Sequence, residues 1–234
     1  MSLESLTSDA LELLKNLITT PSFSGEEDET AALIRKWLES RDIPCEQIGN
    51  NIIAKNAYFT PGKPTLLLNS HHDTVRPNKG YTRDPFKPTE EEGKLYGLGS
   101  NDAGGCLVSL LACFAYWHKQ ADLSHNLLMV ASAEEENSGP NSLRGILQDL
   151  PHIDVAIVGE PTEMHLAIAE KGLVVFDATV TGTPSHAAHP NADNAIYNTI
   201  AVLEWFRNYS FPKVSETLGE VKVTVTQIDG GKQH

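Results

Sequence analysis

Metal-type ligands recur along this chain, each at a point where a hydrophobic run ends. His71 and Asp73 come after Thr65-Leu66-Leu67-Leu68-Asn69, and Asp102 lies in the glycine-rich stretch 96–105. Glu134, Glu135 and Glu136 follow Leu127-Leu128-Met129-Val130-Ala131, and Glu160 follows Val155-Ala156-Ile157-Val158-Gly159. Runs of this kind read as buried parallel strands, and open α/β sheets gather their functional groups at the carboxyl ends of such strands. Residues distant in sequence then meet in one crevice. A histidine among carboxylates is the donor set of a hydrolytic metal centre, in which a divalent cation acidifies water and polarises a carbonyl. The expectation is a zinc-dependent hydrolase.

Each member has its own logic. Residues i and i+2 of a strand share a face, so His71 and Asp73 point into one site while His72 points away. His71 is the expected ligand, and Asp73 the carboxylate that orients its imidazole and raises its basicity. Asp102 opens a helix, where it serves either as a cap or as a bridge that shares its two oxygens between cations. Gly97 and Gly99 resemble the start of a dinucleotide fingerprint. The third glycine position holds Asp102, however, and a carboxylate there repels pyrophosphate. Three adjacent carboxylates directly after an apolar strand repel one another unless a cation lies among them. The competing view is a solvated charge run. Neighbouring side chains diverge, so one Glu binds metal while the next acts on water. Glu160, before Pro161, reads as a ligand or a turn carboxylate.

The surrounding elements have to bring these groups together. Asp9 is placed to cap a helix with the apolar stripe Leu11, Leu14, Leu17 and Ile18. Ser24-Gly25-Glu26-Glu27 is a capping-box pattern opening a second helix. Residues 51–54 and 65–68 read as strands around the turn Pro61-Gly62-Lys63-Pro64, and 104–117 as a long apolar helix. Strand, helix and strand then alternate through 127–132, 141–150 and 155–158. The fold class is therefore α/β: a mixed sheet flanked by helices, forming a catalytic domain over residues 1–170. Residues 171–234 begin a smaller α+β domain, with an alternating strand at 172–181, a helix at 192–209 and a second strand at 220–228.

Bulk properties narrow the partners. A formal charge of −13 over 234 residues argues against a nucleic-acid or anionic-membrane surface. No segment is apolar for long enough to cross a bilayer, and the N-terminus lacks the pattern of a signal peptide. Three cysteines, Cys45, Cys106 and Cys113, show no Cys-x-x-Cys spacing, so free thiols in a reducing cytoplasm are expected.

Four segments in order closely resemble the M20 family of dinuclear zinc amidohydrolases: Ser70-His71-His72-Asp73-Thr74-Val75, the stretch 97–105, Ala133-Glu134-Glu135, and Gly159-Glu160-Pro161-Thr162. The resemblance implies that His71 and Glu160 bind one zinc, Asp102 bridges two, and Glu135 binds the second. Glu134 is then the general base and Asp73 the orienting carboxylate. The pair Glu135 and Glu136 is the alternative register; Glu134 and Glu135 are preferred because Ala133 falls where relatives often have Asp. Cobalt or manganese substitutes for zinc in such a site. The segment 182–190 with Asp193-Asn194-Ala195 resembles the family's lid and dimerisation segment. By that resemblance His186 reaches the partner subunit's site in a homodimer and steadies the tetrahedral intermediate, with His189 in poorer register.

Family members continue beyond the point matching Ile228-Asp229-Gly230-Gly231 and supply a further histidine ligand. The chain is therefore expected to be a C-terminally incomplete member, with weak or single-metal binding and little turnover. The implied reaction removes the acyl group from a small-molecule N-acyl amino acid, N-acetylornithine first. The alternatives are a succinylated diaminopimelate or ornithine, a short peptide, or no catalysis at all in a binding and dimerisation module.

Overall fold

The computed structural model describes residues 2–230 and divides into two units, Met1–Met164 and His165–His234. The first unit is built on a five-stranded mixed sheet. Its strands are β1 (Cys45–Ile48), β2 (Asn51–Lys55), β3 (Thr65–His71), β6 (Asn126–Ser132) and β7 (Val155–Val158), in the spatial order β1-β2-β6-β3-β7. β1, β2 and β6 pair antiparallel, whereas β3 runs parallel to both β6 and β7. Outside the sheet, β4 (Thr89–Glu91) and β5 (Lys94–Tyr96) form a hairpin. Its two-residue turn is Glu92-Gly93, both at positive φ, the geometry that matches strand twist.

Alternation along the central strands explains how both faces of the sheet are covered. Ile52, Ala54, Leu68, Met129 and Ala131 join one core with α1 (Leu3–Thr19), α2 (Asp28–Glu39) and α3 (Gly105–Trp117). Ile53, Leu67, Leu128 and Val130 face the other way, under Ile146 of the short helix α4 (Leu143–Ile146). Adjacent residues of one strand thus feed opposite cores, so β2, β3 and β6 read as continuous hydrophobic runs. β7 departs from the expected buried strand. Val155, Ile157 and Val158 are each about half exposed, because β7 pairs only with β3 and joins neither core among the described residues.

Local signals were overridden where tertiary partners competed for the same polar atoms. Ser2, not Asp9, caps α1 by accepting from the Ser5 amide; Asp9 lies inside the helix, 2.6 Å from Arg41. The capping box before α2 does not form, since Ser24 Oγ donates to Asp73 and Glu27 makes no side-chain cap. The helix expected at 141–150 shortens to α4 and one 3-10 turn (Leu147–Asp149), with Gly145 inside it and Pro151 after it.

In the second unit, α5 (Ala195–Asn208) starts later than expected because Asn194 caps it, accepting from the amides of Ile196 and Tyr197. The strands expected at 172–181 and 220–228 form no ladder among the described residues. Alternating side chains favour a strand only when its backbone groups find a paired neighbour and one face is covered. Leu173 and Phe176, at 88% and 77% exposed, have no such cover. Among the described residues no helix is long and apolar enough to cross a membrane.

Candidate metal centre

The three parallel strands end side by side, with His71 opposite Ser132 and Asn69 opposite Val158. β3 therefore delivers His71 between the segment leaving β6 (133–136) and the one leaving β7 (159–160). The β7 exit depends on glycine. Gly159 N–H donates to the Asn69 carbonyl at 2.7 Å, and Ser70 Oγ donates to the Gly159 carbonyl at 2.8 Å. A Cβ on Gly159 would lie 2.9 Å from Leu110 Cδ1 and 3.0 Å from Cys106 Cβ, so only glycine lets the exit pack this closely on α3.

His71 is 1% exposed. Its Nδ1 lies 2.9 Å from the Asp73 carbonyl and 3.3 Å from Asp73 Oδ1, which keeps Nδ1 protonated and turns Nε2 toward the crevice. Around Nε2 stand Asp102 Oδ1 at 3.2 Å, Glu160 Oε2 at 3.8 Å and Glu135 Oε2 at 3.9 Å. Asp102 is carried by a π-helical turn (Ser100–Gly104) that follows Gly99, and its own φ and ψ are non-helical. No side chain caps α3, so Asp102 is not a cap: it faces His71. His72 points away from this group, held by Thr30 Oγ1 and the Asn50 carbonyl, each at 2.9 Å.

The three glutamates part company. Glu134 has φ 52° and is nearly buried; its Oε1 accepts from Asn141 Nδ2 at 2.7 Å and its Oε2 from the Asn141 amide at 3.0 Å. Glu135 reaches toward His71. One oxygen of Glu136, one of Asp102 and a His71 ring nitrogen all lie within 4.8 Å of one another. The backbone of the run is held from beneath, with the Glu135 and Glu136 amides donating to Asp73 Oδ1 and Oδ2 at 3.1 Å each. The structure thus gathers His71, Asp102, Glu135 and Glu160 over Asp73, adds Glu136, and binds the Glu134 carboxylate to Asn141. His186 lies in the second unit, where its Nδ1 accepts from the Ala188 amide and its ring meets His189 edge-on at 5.5 Å.

Crowding leaves an electrostatic signature. Burial lifts the carboxyl of Glu160, the His71 imidazole opposes that, and Glu135, Asp102 and Glu136 add to it, giving about 7. Burial and Asp102 likewise push Glu136 up. Burial alone would lower His71, but the hydrogen bond and charge of Asp73, with Glu160 and Glu135, raise it to about 9. Burial would raise Asp73, yet His71, Ser24 and the two glutamate amides hold it below the usual carboxylate range. Two carboxyls reluctant to ionise, Glu160 and Glu136, beside an imidazole that holds its proton, are relieved by a cation that takes that proton's place. The separation of His71 Nε2 and Asp102 Oδ1, 3.2 Å, approaches the roughly 3.3 Å that tetrahedral bonds of about 2.0–2.1 Å impose. The donors fit a divalent ion of the nitrogen- and oxygen-binding kind. Beside them opens a cavity of about 320 Å³ lined by Val75, Tyr81, Leu98, Asn101, Asp102 and Glu136, among others.

Residues 67–231 match the family described as Peptidase family M20/M25/M40. The acetylornithine deacetylase of Proteus mirabilis is 32% identical over 217 residues, covering 85% of this chain and 55% of that protein. A succinyl-diaminopimelate desuccinylase of Wolbachia pipientis subsp. Culex pipiens is 28% identical over 238 residues, covering 95% of this chain and 60% of that protein. The chain spans little more than half the length of these relatives. Among solved structures, the Bacillus subtilis YXEP protein, a dinuclear metal binding peptidase from the M20 family, superposes with a TM-score of 0.51 at 18% identity, over 67% of this chain and 43% of that one. At that identity the likeness concerns the fold.

Proposed function

The chain belongs to peptidase family M20/M25/M40, and on that premise we propose that it carries the metal-holding half of an amide hydrolase that deacylates an N-acyl amino acid. The observation that supports this most is the buried His71 Nε2 facing Asp102, Glu135 and Glu160 at the ends of three parallel strands. We assign His71, Glu160, Asp102 and Glu136 as the residues that would hold the cations, zinc first and cobalt or manganese as substitutes. When bound, the cations supply Lewis acidity that polarises the scissile carbonyl and acidifies water. Asp73 holds the imidazole in its tautomer.

The acid run is read in the register Glu135 and Glu136. Glu134 has both carboxylate oxygens engaged by Asn141, whereas Glu135 is free to accept a proton from water and return it to the leaving amine. The second unit acts as the lid and dimerisation element, and His186 of one subunit of a homodimer serves the other's site as an oxyanion donor. Free Cys45, Cys106 and Cys113 suit a reducing compartment, and we assign the protein to the cytoplasm.

N-Acetylornithine is the preferred substrate. Among the described residues that line the cavity beside Asp102 and Glu136 none is Lys or Arg, which leaves a succinyl carboxylate without a cationic partner from them there. Desuccinylation is the second reading, supported by relatives of that name. The test is elemental analysis for zinc in the chain and in His71→Ala and Glu136→Ala variants, followed by amine release from N-acetylornithine and N-succinyl-diaminopimelate. Zinc lost in both variants and faster acetyl release support the assignment. Zinc retained in both sinks the metal site, and faster succinyl release sinks the substrate.

A further inference from the structure

Beneath the acidic run lies a carboxylate that the reaction does not use. Glu27 is fully buried where α2 begins. Its Oε1 accepts from the Gly25 amide at 2.7 Å and from the Glu134 amide at 3.1 Å, and its Oε2 accepts from Asn50 Nδ2 at 2.9 Å. Asp73, also fully buried, takes the next two amides, those of Glu135 and Glu136. Two buried carboxylates therefore hold three successive N–H groups. The turn they hold is unfavourable by itself. Glu134 sits in the left-handed region that side chains avoid, and its neighbours carry like charges toward one crevice.

We propose that Glu27 is a positioning residue: with Asp73 it clamps the amides of residues 134–136, so that Glu135 and Glu136 are presented to His71. The proposal rests on the reading of that crevice as a metal centre. Glu27 touches neither substrate nor cation, and acts through the backbone of the turn. Asn50, which donates to Glu27 Oε2, also meets the ring of His72 through its carbonyl, and Thr30, whose hydroxyl donates to the Glu27 backbone carbonyl, meets the other ring nitrogen. The clamp is thereby tied to the strand that delivers His71.

The experiment uses the whole chain with Glu27→Ala, Glu27→Gln and Glu27→Asp. Zinc affinity is measured by competition with a chromophoric chelator, the cobalt(II) form by its visible spectrum, and the turn by amide hydrogen exchange at residues 134–136. The expected result is a zinc affinity about 10–100-fold weaker in Glu27→Ala, the range for loss of an outer partner of a metal site. Exchange accelerates at 134–136 ahead of the core strands, and the cobalt spectrum changes. Glu27→Gln stays near wild type, because its amide oxygen still accepts from Gly25 and Glu134 while Asn50 turns its own amide over. Glu27→Asp, too short to reach Glu134, falls with Glu27→Ala and keeps the test open if the alanine variant does not fold. The proposal is overturned if the alanine or aspartate variant keeps wild-type zinc affinity and exchange at 134–136, or if Glu27→Gln does as badly as they do. If the wild-type chain takes up no zinc, the metal-centre reading has failed instead. Exchange in the metal-free chain then decides the clamp alone, acceleration upholding it and unchanged protection overturning it.

Discussion

Replacing Glu134 and Glu136 separately by Ala is predicted to split stability from metal binding. Both oxygens of the nearly buried Glu134 carboxylate are hydrogen-bonded to Asn141, at 2.7 and 3.0 Å. Hydrogen bonds to a charged group contribute about 1.5–3 kcal/mol each. Asn141 is itself exposed, so water takes over part of what is lost, and a total of about 2–3 kcal/mol is expected for Glu134→Ala. With a urea slope of about 3 kcal/mol/M for a chain of this size, the unfolding midpoint drops by about 0.7–1 M. Zinc affinity, extrapolated to the folded fraction, changes little. Glu136→Ala behaves the other way. It removes a carboxyl that burial and Asp102 push upward, so the metal-free midpoint holds or rises. Zinc affinity falls by more than the roughly 10–100-fold typical of an outer partner. Urea unfolding of the chelated chain and chelator competition read the two effects independently. If Glu134→Ala unfolds at the wild-type midpoint and loses zinc while Glu136→Ala retains it, Glu134 belongs to the metal and the register argued from Asn141 is wrong.

In the chelated chain, stability is expected to decline from about pH 5 to pH 9. Both His71, raised to about 9 from 6.5, and Glu160, raised to about 7 from 4.5, hold their protons better when folded, so their contributions are lost as pH rises through the folded values. A urea midpoint that climbs over that range contradicts this, and added zinc should flatten the slope. Phe114→Ala empties a fully buried site on α3, in the core that α3 shares with α1 and the sheet, and should cost about 3–5 kcal/mol; a loss under 1 kcal/mol would show that the core there is loosely packed. Gly99→Ala forces a side chain into φ 75° with its Cβ 2.7 Å from Thr74 Cγ2. It should lower both the unfolding midpoint and zinc affinity, since the same turn carries Asp102; unchanged zinc binding would uncouple that turn from the metal site.

Much of the scaffold was legible because its signals are local. Apolar runs marked β2, β3, β6 and β7, and the β3 alternation separated His71 from His72; the stripe marked α1 as a helix, but Leu11 is exposed and Leu6, Ala10 and Leu13 complete its buried face. The hairpins β1–β2 and β4–β5 also carried signals, in Gly49-Asn50 and Glu92-Gly93, which the hydrophobic pattern overshadowed. Caps were less legible. Asp9 and Ser24 have the right chemistry to cap helices, but Arg41 and Asp73 lie within reach only once the chain has folded. Strand character at 172–181 and 220–228 is a matter of pairing, which alternation alone does not supply.

From sequence alone the chain specified which residue types stand at the ends of which strands, because hydrophobic periodicity and strand length are properties of neighbouring residues. Tertiary structure decided which of three adjacent glutamates faces the crevice. The direction of each depends on the backbone of one turn, and that backbone is held by acceptors 107 and 62 residues away, on Glu27 and Asp73. An N–H bonded to a buried carboxylate that far off in the chain leaves no trace in the local pattern. It exists only where the folded chain brings the start of α2 and the end of β3 under the end of β6.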